Sequence, residues 1–216
     1  MNVDERMIEY IHSLDRGYSP LISEIRKQAL KDGVPIIRQE TGTLLGVLLT
    51  MVKPKAILEV GTAVGFSALL MSEYAEDAHI TTIENYDVRI PIAKHNFERT
   101  GKTKQITLLE GDAIEILKEL DGKYDLIFVD AAKGQYIHFL EDVLRLLAPD
   151  GVLVSDNVLQ DGDVAKSRYA IERRDRTIHK RMRDYLYTIK NHPLLETTIL
   201  PVGDGVAISI KTGDNE

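Results

Sequence analysis

The chain has 216 residues, 44% hydrophobic and 28% charged, with 15 Gly and 7 Pro, which fits one sizeable core and excludes collagen-like, low-complexity and disordered classes. It has no Cys, so disulfides, thiolate zinc sites, iron–sulfur clusters and a Cys nucleophile are excluded and a cytoplasmic location is the expectation. A net charge of −7 argues against a general nucleic-acid coat; no apolar run approaches the roughly 18 residues of a membrane span, and the acidic start Met1-Asn2-Val3-Asp4-Glu5-Arg6 does not resemble a secretory signal.

Residues 3–15 and 20–32 read as helices, broken by Gly17 and Pro20 and ended at Gly33. After Pro35, apolar positions Ile37, Leu44, Leu48 and Met51 recur at helical spacing up to Lys53-Pro54. Residues 1–53 thus form a helical extension, expected to cover substrate and make dimer contacts, on a domain running from 54 to 216. Ala56-Ile57-Leu58-Glu59-Val60 is a short apolar strand ending at Gly61, and 66–74 is helical. Ile80-Thr81-Thr82-Ile83 is a strand ending at Glu84; 87–100 is a helix closed by Gly101. A third strand, 106–109, runs into Gly111-Asp112, and a helix follows over 114–120. The strand 124–129 ends at Asp130, the helix 135–147 is stopped by Pro149 and Gly151, and the strand 152–154 ends at Ser155-Asp156-Asn157. A long helix over 175–190 carries the apolar stripe Ile178, Met182, Tyr185 and Ile189, and strands near 197–200 and 206–210 close the chain.

Five alternations of short apolar strand and helix imply a parallel sheet covered on both faces. Ligands then sit at the carboxyl ends of the strands, and here those ends are polar: Gly61, Glu84, Asp112, Asp130 and Asp156 with Asn157. The turn Glu59-Val60-Gly61-Thr62-Ala63-Val64-Gly65 lacks the G-x-G-x-x-G spacing that seats a pyrophosphate, so it suits a ligand without phosphates. Glu84 can accept both hydroxyls of a ribose, and Asp112 the amino group of an adenine. Asp130, Asp156 and Asn157 supply hard oxygen ligands for Mg²⁺ or Ca²⁺, although Asp-Asn is also an ordinary turn pair. Lys133 is either a solvated loop lysine or, beside a cation, a base. The stretch 166–183 holds eight basic and two acidic residues, leaving the rest of the chain at −13. It is either a solvated helix face or a phosphate contact, through Arg173, Arg174, Arg176 and Lys180.

The turn Glu59-Val60-Gly61-Thr62-Ala63-Val64-Gly65-Phe66-Ser67 followed by Glu84 resembles the S-adenosylmethionine site of class I methyltransferases. With Asp130-Ala131-Ala132-Lys133 and Asp156-Asn157-Val158-Leu159 added, the chain is similar over nearly its whole length to the divalent-cation-dependent O-methyltransferases, which include catechol and caffeoyl-coenzyme A enzymes. Val34-Pro35-Ile36, Lys133-Gly134-Gln135-Tyr136, Arg173-Arg174 and Pro201-Val202-Gly203-Asp204-Gly205 look most like the tRNA 5-hydroxyuridine branch of that family. The resemblance implies an α/β, Rossmann-like seven-stranded sheet with a reversed last hairpin, and a homodimer. It implies S-adenosylmethionine held by Ile37, Ser67, Glu84, Asp112, Ala113 and Asp130 on the Gly61 turn. It also implies Mg²⁺ or another divalent cation on Asp130, Asp156 and Asn157, and Lys133 as base. The reaction it implies is methylation of 5-hydroxyuridine at the anticodon wobble position of tRNA to 5-methoxyuridine. The alternative is a small-molecule O-methyltransferase acting on catechol-like or caffeoyl-coenzyme A-like phenols. The flanks of Lys133, Ala132 and Gly134-Gln135, are smaller than those of the catechol type. An oxidoreductase or a non-catalytic adenosyl-binding module fits less well, because the pyrophosphate fingerprint is missing and Asp130, Asp156, Asn157 and Lys133 are all present.

Overall fold

The computed structural model describes residues 5–213, so the first two positions of the helix expected over 3–15 lie outside the described residues. Helices α1 (Glu5–Ser13), α2 (Pro20–Lys31) and α3 (Gln39–Val52) precede the first strand. There follow β1 (Ala56–Val60), α4 (Phe66–Tyr74), β2 (His79–Glu84), α5 (Ile90–Arg99), β3 (Ile106–Glu110) and α6 (Ala113–Glu119). The chain ends through β4 (Tyr124–Val129), α7 (Tyr136–Leu146), β5 (Leu147–Ser155), α8 (Arg176–Asn191), β6 (Leu195–Leu200) and β7 (Val206–Lys211). The strands form one seven-stranded sheet in the order β3-β2-β1-β4-β5-β7-β6. The first five strands are parallel, and β7 runs antiparallel to both β5 and β6.

Strand alternation divides the core. Ile57, Leu126 and Phe128 pack with α2, α3, α4 and α5 on one face. Leu58, Ile127 and Val129 pack with α6, α7 and α8 on the other. After β1 the chain moves outward to β2 and β3, then returns to place β4 on the opposite side of β1. The crevice at this reversal is where an open α/β sheet binds its ligand.

Several local expectations are corrected. The buried face of α3 is Thr41, Gly42, Leu45, Gly46 and Leu49, while Met51 is 73% exposed. The glycines decide it: a Cβ at Gly46 would stand 2.6 Å from the Tyr74 ring, and one at Gly42 would stand 3.1 Å from Tyr18 Oη. The glycine side is therefore the one that meets α4. Ile37 lies before the helix, in an extended segment, and is buried. Helix α5 starts at Ile90 and not at 87, because Pro91 belongs in a first turn where no N–H is needed. Pro149 to Gly151 do not precede β5 but bulge out of it, between the pairs Tyr124↔Leu147 and Leu126↔Val152. On α8, Ile178 is 39% exposed and His179 takes the buried place at that end. Two 3₁₀ turns, Gln160–Ala165 and Arg168–Ala170, were not foreseen.

Candidate functional site

A cavity of about 610 Å³ opens at the carboxyl ends of the strands, lined among others by Gly61, Ser67, Glu84, Asp112 and Asp130. Ile37, Ala113, Lys133 and Asn157 also line it, so the sequence-predicted residues converge on one place. Gly61 is obligatory: its φ is 106° and a Cβ there would fall 2.1 Å from the Asp130 carbonyl oxygen. The turn it makes is pinned by Gly61 N and Thr62 N, both donating to Ile83 O at 3.1 Å.

Glu84 is held by the backbone around it. Its Oε2 accepts from Ala63 N at 2.7 Å, and its Oε1 accepts from Asn85 N at 3.0 Å and Tyr86 N at 2.9 Å. A carboxylate offers about four lone-pair sites, so acceptor capacity remains for a ligand. Asp112 caps α6 through Ile114 N at 2.8 Å, using one carboxylate oxygen and leaving the other.

On the β4–β5 side the acids are crowded. Asn157 Nδ2 donates to Asp130 Oδ1 at 2.8 Å, and Asp156 Oδ1 accepts from Asn157 N at 2.9 Å and Thr41 Oγ1 at 3.3 Å. Burial, reinforced by the Asp130 charge, pushes Asp156 up to about 7. Burial also raises Asp130, against the pull of Asn157 and Lys133. Asp156 is 2% exposed and stands just behind the cavity wall formed by Asn157. Two neighbouring carboxyls held above their ordinary range, Asp156 buried and Asp130 half-buried, mark a place short of positive charge. Among the described residues no three His, Cys, Asp or Glu side chains are grouped to hold a metal; the set here is two carboxylates and one amide. That set is chemically suited to a hard cation, provided the amide turns over to offer its oxygen.

Two tyrosines brace this side from beneath. Tyr136 Oη donates to Asp156 O at 2.9 Å and Val129 O at 3.2 Å, tying the ends of β4 and β5 together. Burial raises its pKa well above 10, so it stays a donor. Tyr185, pushed up to about 12 by burial, meets Ser155 Oγ at 2.6 Å. Lys133 is not a free loop lysine: its Nζ donates to Asp204 Oδ2 at 2.9 Å, and Asp204 is 6% exposed. Asp161 N holds the other oxygen of Asp204.

Reasoning from the sequence missed Thr41, Asp204 and Tyr136, and also Glu59. The Glu59 carboxyl is fully buried under the Gly61 turn; its Oε2 accepts from Thr82 Oγ1 at 2.5 Å, while Oε1 has no hydrogen-bond partner. Burial pushes it up to about 7, against the pull of the nearby Ser67 and Thr82 hydroxyls. An acid inside an apolar strand pattern was the available signal.

No residue of the basic stretch is among those lining the cavity, but one touches the loop beside it. Arg181 donates to Gly134 O at 3.2 Å, which sets α8 against the loop bearing Lys133. The four residues singled out there differ. Arg174 is paired with Glu172 at 3.1 Å and Asp175 at 3.4 Å, and Lys180 with Asp184 at 2.7 Å. Arg176 Nε donates to Ile171 O at 3.1 Å, and Arg173 is exposed with no acid partner among the described residues.

Comparison with known proteins yields a family match over residues 12–212, to a family described as O-methyltransferase. The chain is 33% identical over 181 residues to tricin synthase 2 of Oryza sativa, a match spanning 78% of this chain and 61% of that one. It is 34% identical over 139 residues to a catechol O-methyltransferase of Niastella koreensis, spanning 61% of this chain and 63% of that one. The chain thus spans less than two thirds of these curated relatives. The structure matches that of a Podospora anserina methyltransferase bound to S-adenosylhomocysteine (SAH), with a TM-score of 0.86 and 27% identity, over 97% of this chain and 95% of that one.

Proposed function

The chain belongs to the O-methyltransferase family, and from that premise we propose that it transfers a methyl group from S-adenosylmethionine to the 5-hydroxyl of 5-hydroxyuridine at the wobble position of tRNA. The observation that carries the reading is the pair of raised carboxyls, Asp130 on the cleft wall and the buried Asp156 behind it, facing a half already shaped by backbone donors.

In this reading Glu84 accepts the ribose hydroxyls and Asp112 the adenine amino group, while Ile37, Ser67 and Ala113 wall the cofactor on the Gly61 turn. A divalent cation, Mg²⁺ first, would be held by Asp130, Asp156 and Asn157 and would supply charge to stabilise the acceptor oxyanion. The neighbouring 4-carbonyl oxygen of the base makes the acceptor a two-oxygen chelator, as a catechol is. The sulfonium methyl is already activated, so the chain mainly has to align donor and acceptor. Lys133, the base of this reading, must first leave the Asp204 carboxylate and give up an ammonium proton before its Nζ can take the acceptor's. Asp130 borders both halves and keeps the two ligands in register.

The tRNA assignment is supported by the basic stretch against the Lys133 loop, on an otherwise acidic chain. An unpaired loop base can enter a pocket without breaking a duplex. Arg173 is the readiest phosphate contact, and Arg174 and Lys180 can exchange exposed acid partners for phosphate at small cost. A homodimer would draw on exposed apolar side chains of the N-terminal helices, among them Met7, Tyr10 and Ile11 on α1 and Val47 on α3. No helix among the described residues is long and apolar enough to cross a membrane.

A second reading, methylation of a small vicinal phenol, is favoured by the catechol O-methyltransferase among the relatives. Incubation with hydroxyuridine-containing tRNA, labelled cofactor and Mg²⁺, followed by mass spectrometry of the nucleosides, separates the two. Labelled 5-methoxyuridine is expected. Its absence, with turnover of a catechol, replaces the first reading by the second.

A further inference from the structure

A second recess, of about 420 Å³, lies away from the cleft, where the loop over 14–18 crosses α2, α3 and α4. Three cations line it, Arg16, Arg26 and Lys27, against a single carboxylate, Asp15. Asp15 is already engaged, accepting from Gln39 Nε2 at 2.5 Å. Neither Arg16 nor Lys27 has an acid partner among the described residues. Arg26 Nε is buried with no hydrogen-bond acceptor, and its guanidinium stands 6.0 Å from the Tyr18 ring centroid, the outer limit for a cation–π contact.

The Arg26 side chain is only half-buried, but its Nε–H is cut off from water without an acceptor, a cost that an anion beside the guanidinium would offset. The lining carries an excess of two positive charges. A doubly charged phosphate matches that excess, and a guanidinium fork binds it through paired N–H groups. The recess is larger than one phosphate needs and falls within the range of small-ligand pockets. Tyr18 and Tyr74 line it too and supply flat apolar surface for whatever carries the phosphate.

We propose that this recess binds a phosphate-bearing ligand, with the phosphate against Arg26 and the exposed Arg16 and Lys27 closing over it. The ligand is a nucleoside monophosphate or a backbone phosphate of bound RNA. Tyr18 packs edge-on against Phe66 at 5.5 Å, and Phe66 also lines the cleft. The two recesses therefore share a wall.

The test is a calorimetric titration with inorganic phosphate and with uridine 5′-monophosphate, on wild type and on Arg16→Gln, Arg26→Gln and Lys27→Gln. Saturable binding is expected for wild type, weakened about tenfold or more by Arg26→Gln and by Lys27→Gln, with the affinity for SAH unchanged. The SAH readout confirms that each variant is folded, and the exposed Arg16 and Lys27 keep the test valid if Arg26→Gln is not. No saturable binding by wild type, or equal binding by all three variants, overturns the proposal. An anticodon stem-loop RNA added as competitor identifies the source. Displacement of phosphate by the RNA, lost in Lys27→Gln, assigns the site to the RNA backbone. Tight nucleotide binding that the RNA does not disturb assigns it to a free nucleotide. None of these readouts depends on methyl transfer, so the inference and the proposed activity fail separately.

Discussion

The two halves of the strand-end crevice are finished by different means. Around β1 to β3 the polar groups are answered within the chain: Glu84 by three backbone N–H groups, Asp112 by the α6 terminus, the Gly61 turn by Ile83. Around β4 and β5, the half-buried Asp130 and the buried Asp156 are both raised and share Asn157 as a donor, with Thr41 as a second donor to Asp156. The first half is preorganised and waits for a neutral or cationic ligand rich in donors. The second crowds two carboxyls that Lys133, Asn157 and Thr41 only partly offset, and Lys133 is itself paired with Asp204. The backbone thus sets the side chains of one half in place, while those of the other half are left in mutual conflict.

The sharpest way to break this contrast is to empty the second half. Asp130→Ala or Asp156→Ala, or a chelator acting on wild type, should lower methyl transfer by roughly 10²–10⁴-fold, the several kcal/mol that a Lewis-acid cation supplies. Asp156→Ala should leave SAH affinity nearly unchanged, because Asp156 lies behind the cavity wall. Asn157→Ala, which removes a neutral oxygen, should be milder. Full turnover in excess chelator would show that the crowded acids serve no cation.

Much of this contrast was legible in the sequence. Short apolar strands ended by Gly61, Glu84, Asp112, Asp130 and Asp156 place an acid series at one sheet edge, because the parallel sheet and its crossovers are set by local pattern. What could not be read was contact across distance. Thr41 meets Asp156 from 115 residues away, and Lys133 meets Asp204 from 71. No spacing rule announces such pairs. The face of α3 was legible in part: Leu44 and Leu48 pack partly buried against the core, and Met51 does not. The two glycines, beside the buried Leu45 and Leu49, allow the closest approach to α4, which only the Tyr74 ring reveals.

The preorganised half is tested by Glu84→Ala. Charge-assisted ribose bonds are worth about 1.5–3 kcal/mol, so SAH should bind roughly 10- to 100-fold more weakly by calorimetry. Unchanged affinity would show that the three backbone donors exhaust Glu84 and that the ribose is held elsewhere.

Glu59 is the exception within the finished half, and it sharpens the comparison through pH. Its folded pKa of about 7 lies above its ordinary 4.5, chiefly through burial. Between these values the unfolded chain has lost the proton and the folded chain keeps it. This group's contribution is therefore fully present below about 4.5 and is lost as pH rises through about 7. Glu59→Gln, which cannot titrate, should flatten that fall in chemical denaturation between pH 5 and pH 8, by a few kcal/mol at most. An identical pH profile in the variant would mean that the buried carboxyl is not protonated in this window.

The smallest expected effect concerns neither half of the crevice but the basic stretch beside it, and it decides between the two acceptors. A small phenol offers no phosphates, so substitutions there should leave its turnover alone. An RNA acceptor makes each engaged cation visible as released counterions, about 0.7–0.9 in the slope of log affinity against log salt. The four candidates should not contribute equally. Arg173 has no acid partner among the described residues, whereas Arg174 lies between Glu172 and Asp175, and Lys180 is paired with Asp184. Arg173→Ala should therefore remove close to one full increment of slope. Arg174→Ala and Lys180→Ala should remove less, because part of their charge is already compensated when RNA arrives. Binding of tRNA measured by fluorescence anisotropy across a salt series reads this directly, with SAH affinity as the control. Equal slopes in wild type and Arg173→Ala would remove this stretch from the RNA interface. A full increment lost at Arg174 would show instead that the exposed ion pairs open at no cost.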